Sequence, residues 1–95
     1  MFRYHSLINF TDAGAKNIQD SISRATAFGQ SVEQAGGKLI AQYWSLGAYD
    51  GCVIFEVPDD KTASRLLVHL AKDGFVRTQT MRVYENSEAG EILTQ

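Results

Sequence analysis

Six side chains in this sequence have the chemistry to hold or transform a small molecule: His5, Asn9, Trp44, Asp50, Cys52 and Arg77. An imidazole titrates near neutrality and can serve as a general base. A carboxylate such as Asp50 can bind an ammonium group, or take a proton when its surroundings are dry. Trp44 is the one tryptophan; its ring offers area and its N–H needs a partner. Asn9 and Arg77 would add neutral and cationic hydrogen bonds. Each also has a plain structural use. Asp50 suits a carboxylate that accepts hydrogen bonds from hairpin backbone and from Asn9. His5 suits an interface histidine and Trp44 an interface ring. Cys52, inside the apolar run "CVIF", fits a small buried hydrophobe better than a nucleophile. His69 falls on a helix flank. Two histidines and one cysteine at these separations have no metal-ligand spacing, so no metal is expected. Gly36-Gly37 follows a helix and does not open one, so no phosphate loop and no cofactor are expected.

The totals bound the setting. The chain has 95 residues, 44% apolar and 21% charged, which fits one globular domain. The formal net charge is −2, and the nine basic residues are scattered from Arg3 to Arg82. Without a basic stripe, no nucleic-acid partner is expected. A sole cysteine cannot form an internal disulfide, which fits a reducing compartment. "MFRYHSLINF" has no long apolar signal region, and the longest apolar runs are far too short to span a bilayer. The expected setting is cytoplasmic, with no membrane partner.

The elements that must position these groups follow from periodicity. "FRYHSLINF" alternates as a first strand, with Phe2, Tyr4, Ser6, Ile8 and Phe10 on one face. Thr11 and Asp12 offer helix caps. Ile18, Ile22, Ala25, Phe28, Val32 and Ala35 recur at spacings of three and four, the stripe of a long amphipathic helix. "DSIS" predicts a break near Asp20, since Ser and Asp compete for the backbone, and Gly36-Gly37 ends the helix. "KLIAQYWS" and "YDGCVIFEV" are the second and third strands. "PDDKTASRLLVHLAKDG" is a second helix, capped by Asp59 and stopped by Gly74; "FVRTQTMRVYE" is the fourth strand. "NSEAGEILTQ" is a polar tail that suits either a short helix or a frayed end. The order strand, helix, strand, strand, helix, strand gives an α+β, ferredoxin-like βαββαβ antiparallel sheet, spatial order 4-1-3-2, with both helices on one face. One domain over residues 1–86 and a tail over 87–95 are expected.

Between the second and third strands, Asp50-Gly51 is the tempting two-residue turn. It would leave much of "KLIAQY" unpaired. A turn over Leu46, Gly47 and Ala48 instead pairs Lys38 with Glu56, Leu39 with Phe55, Ile40 with Ile54, Ala41 with Val53, Gln42 with Cys52, Tyr43 with Gly51 and Trp44 with Asp50. In that register the third strand starts at Tyr49 and Gly51 makes room for the ring of Tyr43. The first strand aligns with the third through Arg3–Glu56, His5–Ile54, Leu7–Cys52 and Asn9–Asp50. The helix-free face then carries Arg3, His5, Leu7, Asn9, Ile40, Gln42, Trp44, Asp50, Cys52, Ile54 and Glu56, with Arg77, Gln79, Met81 and Val83 able to join. That face is too apolar to stay wet, so a second copy is expected to cover it as a dimeric α+β barrel. His5 and Asp50 stand four residues apart along this sheet, about 13 Å, too far for a dyad within one chain.

"SLINFTDAGAKNI", "AGGKL", "YWSLGAYDG", "PDD" and "VRT", in that order over about residues 4–84, resemble the GYD domain family, whose Gly-x-Tyr-Asp signature is here Gly47, Tyr49 and Asp50. Ile22 stands where the family pattern has Pro. The resemblance implies a small bacterial protein of ferredoxin-like fold and no particular activity. The Gly-x-Tyr-Asp segment leading into a third strand is also similar to the effector-binding domains of leucine-responsive regulators, which oligomerise through such sheets; no DNA-binding segment is read here.

These readings point to a homo-oligomeric small-molecule-binding or regulatory domain, at least a dimer, with a cleft on the open sheet face. A small organic ligand would lie against Trp44, with Asp50, Asn9, His5 and Arg77 as polar contacts. The alternatives are a cofactor-free oxygenase- or isomerase-type enzyme of the dimeric barrel class, using His5 or Asp50 as its titratable group, and a purely structural interaction domain.

Overall fold

The computed structural model describes residues 1–94. Its elements are β1 (Phe2–Phe10), α1 (Asp12–Lys16), a 3-10 turn (Ile18–Asp20), α2 (Ser21–Gln34), β2 (Lys38–Trp44), β3 (Gly51–Val57), α3 (Asp60–Lys72), β4 (Val76–Val83) and α4 (Asn86–Leu93). The strands form one antiparallel sheet in the order β2-β3-β1-β4, which is the expected 4-1-3-2 seen from the other edge. The chain is an α+β, ferredoxin-like protein.

The core lies between the sheet and the pair α2 and α3. Phe28 and Val32 from α2 meet Val53, Phe55 and Val57 from β3 and Ala63 from α3. Phe55 is fully enclosed: Tyr4 stacks on it at 5.7 Å and Phe28 meets it edge-on at 5.4 Å. Ser6 also faces this core, and its hydroxyl is satisfied by Thr80 at 2.8 Å. A buried polar group paired in this way escapes the desolvation cost of an orphan.

The break near Asp20 is present despite Ile22, and it turns the helix stripe. A 3-10 segment advances 3.0 rather than 3.6 residues per turn, so the residue facing inward after it changes. Ser21 is buried, whereas Ile18 and Ile22 are 51% and 66% exposed. Those two isoleucines are therefore not core residues; the apolar stripe becomes effective only from Ala25 and Phe28 onward.

The caps follow the sequence. Thr11 accepts from the Gly14 amide at 3.1 Å and Asp59 from the Thr62 amide at 2.8 Å. The hydrogen bond from Thr62 holds the Asp59 carboxyl below its ordinary value of 3.8. A carboxyl depressed on folding stabilises above the unfolded value, and this contribution is lost as pH falls through the folded value. Asp59→Asn is therefore expected to melt below the parent at neutral pH. The gap between the two melting curves should close as the medium is acidified past the carboxylate range; a constant gap would contradict the cap. At the other end, residues 86–93 form a helix rather than a frayed tail, because Glu85 and Glu88 make a reciprocal capping box.

The pairing of β1 with β3 is as expected for Arg3 opposite Glu56, His5 opposite Ile54 and Leu7 opposite Cys52, but it ends at Ile8 opposite Gly51. The expected Asn9–Asp50 pair on the open face does not form, because the Asp50 carboxylate turns to accept from the Phe10 amide. Arg3 reaches Glu56 at 2.9 Å and Glu85 at 2.8 Å. The β2–β3 pairing begins as expected with Lys38–Glu56 and Leu39–Phe55, then departs. A β-bulge leaves Ile40 as the extra residue, and Ala41 pairs with Ile54, Gln42 with Val53, Tyr43 with Cys52 and Trp44 with Gly51. Side chains alternate along a strand, so one extra residue inverts every facing after it. Trp44 and Gln42 turn to the helix side and Tyr43 to the open face, the reverse of the sequence reading.

The turn itself is where it was expected. Gly47 has φ +149°, and the Ser45 amide donates to the Asp50 carbonyl at 2.9 Å to close the loop. The strand β3 starts at Gly51, two residues later than Tyr49. Gly51 makes room for backbone rather than for a ring: a Cβ there would lie 2.4 Å from the Tyr43 carbonyl oxygen.

Candidate functional site: the cleft between α2 and α3

The bulged half of β2 fixes α2 in place. The Trp44 indole N–H donates to the Ser21 hydroxyl at 3.0 Å, and the Gln42 amide to the Ala25 carbonyl at 2.8 Å. Ser21 and Ala25 are one turn apart on α2, so the two bonds hold one edge of the helix against β2. Away from that edge, α2 and α3 leave a cleft of about 260 Å³ above the sheet. Its apolar lining comes from Ile8, Phe10, Phe28, Val53, Leu66 and Leu70. Polar groups reach it from Arg24, Gln42, Asp50, His69 and Asp73. Apolar walls with a few convergent polar groups are the composition of a small-molecule site.

Asp50 ends the β1–β3 pairing as well as lining the cleft. Its amide donates to the Ile8 carbonyl at 2.8 Å, and its carboxylate accepts from the Phe10 amide at 2.7 Å. One side chain thus satisfies the backbone donor that β1 would otherwise leave open where β3 begins. With Trp44 it also borders a shallow depression beside Phe10, Ile18 and Leu46.

The five residues expected around a ligand divide between places. Trp44 and Asp50 share the helix-side cleft. His5 and Asn9 stay on the open face, and Arg77 sits opposite Asn9 at the start of β4. The Arg77 guanidinium folds back to the Val76 carbonyl at 3.0 Å and the Ala71 carbonyl at 3.4 Å. His5 lies between Ile54 and Met81, and its Nε2 is enclosed without a hydrogen-bond partner among the described residues. His5 and Asp50 are not brought together. Tyr49 crosses the open face at the hairpin end, where its hydroxyl donates to the Gln79 side chain at 3.0 Å.

Arg24 is the group that sequence reading missed. Its guanidinium lies over the Phe75 ring, 4.5 Å from the centroid. Nη1 donates to the Asn17 carbonyl at 3.2 Å, while Nη2 is enclosed and has no partner among the described residues. The available signal was its position one turn after Ser21 and one turn before Phe28, a cation inside an apolar stripe. Among the described residues no group of three or more His, Cys, Asp or Glu side chains is placed to hold a metal, and no helix is long and apolar enough to cross a membrane.

Three comparisons place the chain among known proteins. It is 36% identical, over 76 residues, to a glutamine synthetase and cystathionine beta-lyase binding protein of Thermus thermophilus; the aligned stretch covers 79% of this chain and 80% of that protein. The fold is similar to the crystal structure of MtbAldR, with a TM-score of 0.68 at 14% identity over 90% of this chain. This chain spans about half, 52%, of the length of that structure. The sequence profile of the GYD domain matches residues 4–93, nearly the full length, and the chain belongs to the GYD domain family.

Proposed function

We propose that this chain is a small regulatory binding module that pairs with itself through the open sheet face and docks on a metabolic enzyme. The observation that carries the reading is the face itself. Leu7, Cys52, Ile54, Met81 and Tyr43 lie on the side of the sheet away from α2 and α3. Tyr43 is 61% and Met81 45% exposed. A contiguous apolar face of this kind is the usual mark of an interaction surface.

The relative's printed name supports glutamine synthetase or cystathionine beta-lyase as the enzyme class. The exposed Ile18, Ile22, Trp44 and Leu46 at the hairpin end offer a second apolar surface, which stays free when two open faces are paired. The test is direct binding of the purified chain to each purified enzyme from its own source, read by co-elution with light scattering. A complex with at least one of the two enzymes is expected, weakened by Leu46→Asp. Failure of both enzymes to retain the chain would overturn the docking half of the reading.

A further inference from the structure

We propose that the cleft between α2 and α3 binds a small monocarboxylate with an apolar body, its carboxylate held by Arg24. The site lies on the side of the sheet opposite the open face, so the proposal stands apart from self-association. Arg24 carries the argument. A guanidinium has five N–H donors and no acceptor. Here Nη1 is used by the Asn17 carbonyl and one face by Phe75, while Nη2 is enclosed and unpaired, so a carboxylate in the cleft that Arg24 lines would engage it as the guanidinium turns from Phe75 toward the ligand. An enclosed cationic donor without an acceptor is costly, and its natural complement is a planar oxyanion.

The rest of the cleft defines the ligand further. Phe28, Leu66 and Leu70 make the walls apolar, and a volume of about 260 Å³ lies below the roughly 300–1,000 Å³ of drug-sized sites. The ligand is therefore of metabolite size with a hydrocarbon or aryl body. Asp50 and Asp73 also border the cleft. A second negative charge on the ligand would face one of them, which selects a monoanion over a dianion. Trp44 and Gln42, bonded to α2, close the side next to β2. The bulge at Ile40 thus places the tryptophan where it can border this ligand.

The probes are phenylacetate and 4-methylpentanoate, with phenylacetamide and glutarate as controls, titrated calorimetrically into the purified protein. Saturable binding of at least one monocarboxylate is expected, with no comparable binding of the amide or the diacid. Arg24→Gln should raise the dissociation constant about ten- to a hundredfold. Arg24→Lys, which keeps the charge but not the fork, should fall between the two. Because either variant could loosen α2, amide and indole NMR shifts of the parent protein provide the second measurement. On adding the acid, the Trp44 indole and the amides of α2 and α3 should move, and Leu7 and Ile54 should not. The proposal is overturned if neither acid saturates, if phenylacetamide binds as well as phenylacetate, or if the shifts map to the open face.

Discussion

Gly51→Ala is expected to lower the melting temperature by about 10–20 °C, an overpacking cost of about 2–3 kcal/mol in a domain of this size. The added Cβ would lie 2.4 Å from the Tyr43 carbonyl oxygen, 3.5 Å from its carbon and 3.6 Å from the Trp44 Cα. All three are backbone atoms, which cannot rotate aside as a side-chain end does. The hairpin end of β2 must retreat, and the bonds from Trp44 to Ser21 and from Gln42 to Ala25 go with it. The loss should therefore be visible in two signals, the thermal midpoint and the fluorescence of the single tryptophan, which should shift toward that of a solvated indole. Gly90→Ala is the control. Nothing lies within 4 Å of a Cβ at that helical position, and alanine there should hold or raise stability. If Gly51→Ala melts with the parent protein, the close β2–β3 approach is not the one described.

A second large effect is expected on assembly. Ile54 lies mid-strand on the open face, between Ala41 of β2 and His5 of β1. Ile54→Asp would leave the monomer's core untouched, because Ile54 points away from Phe55 and Val53. Across a face-to-face dimer, however, it would bury a carboxylate from each copy in the shared face. Unpaired or like charges in an interface cost several kcal/mol, so the dimer dissociation constant should rise at least about a hundredfold. Light scattering over a concentration series would read this, with circular dichroism to show that the monomer remains folded. Met81→Asp, on a more exposed position of β4, repeats the test with less risk to the strand. Unchanged self-association in both variants would remove the open face from the interface.

Much of the architecture is legible in the sequence because it follows from local rules that agree with one another. The alternation in "FRYHSLINF", the cap at Asp59 and the stops at Gly36 and Gly74 give the elements, and the right-handed crossovers then leave one strand order. The turn over Leu46–Ala48 is legible because the competing Asp50-Gly51 turn strands half of β2. The bulge is not legible. "LIAQYW" satisfies either phase of alternation: with Ile40 paired, Trp44 faces outward, and with Ile40 skipped, Gln42 and Trp44 face inward. What decides between them is tertiary. Trp44 and Gln42 find acceptors on α2, and Tyr43 is left exposed on the open face. The placement of the candidate residues was half legible for the same reason. Trp44 and Asp50 do share a cleft, but on the opposite side of the sheet from His5 and Asn9. Arg24 was legible only as a cation between Ser21 and Phe28; an arginine on a helix usually lies in solvent, and its place over the Phe75 ring is a tertiary contact with a residue far along the chain.

The bulge has a further consequence at the rim of the sheet. In the order β2-β3-β1-β4, β2 is an outer strand, with one row of backbone donors and acceptors facing no other strand among the described residues. Such a row is a template on which a neighbouring molecule can add its own strand, and so on into a fibre. An extra residue at Ile40 breaks the even spacing of that row and twists it, which leaves no long regular stretch to copy. On this rim, the device that re-aims Trp44 therefore also discourages the addition of a foreign strand, while β4, the outer strand at the opposite rim, pairs with β1 without such an interruption.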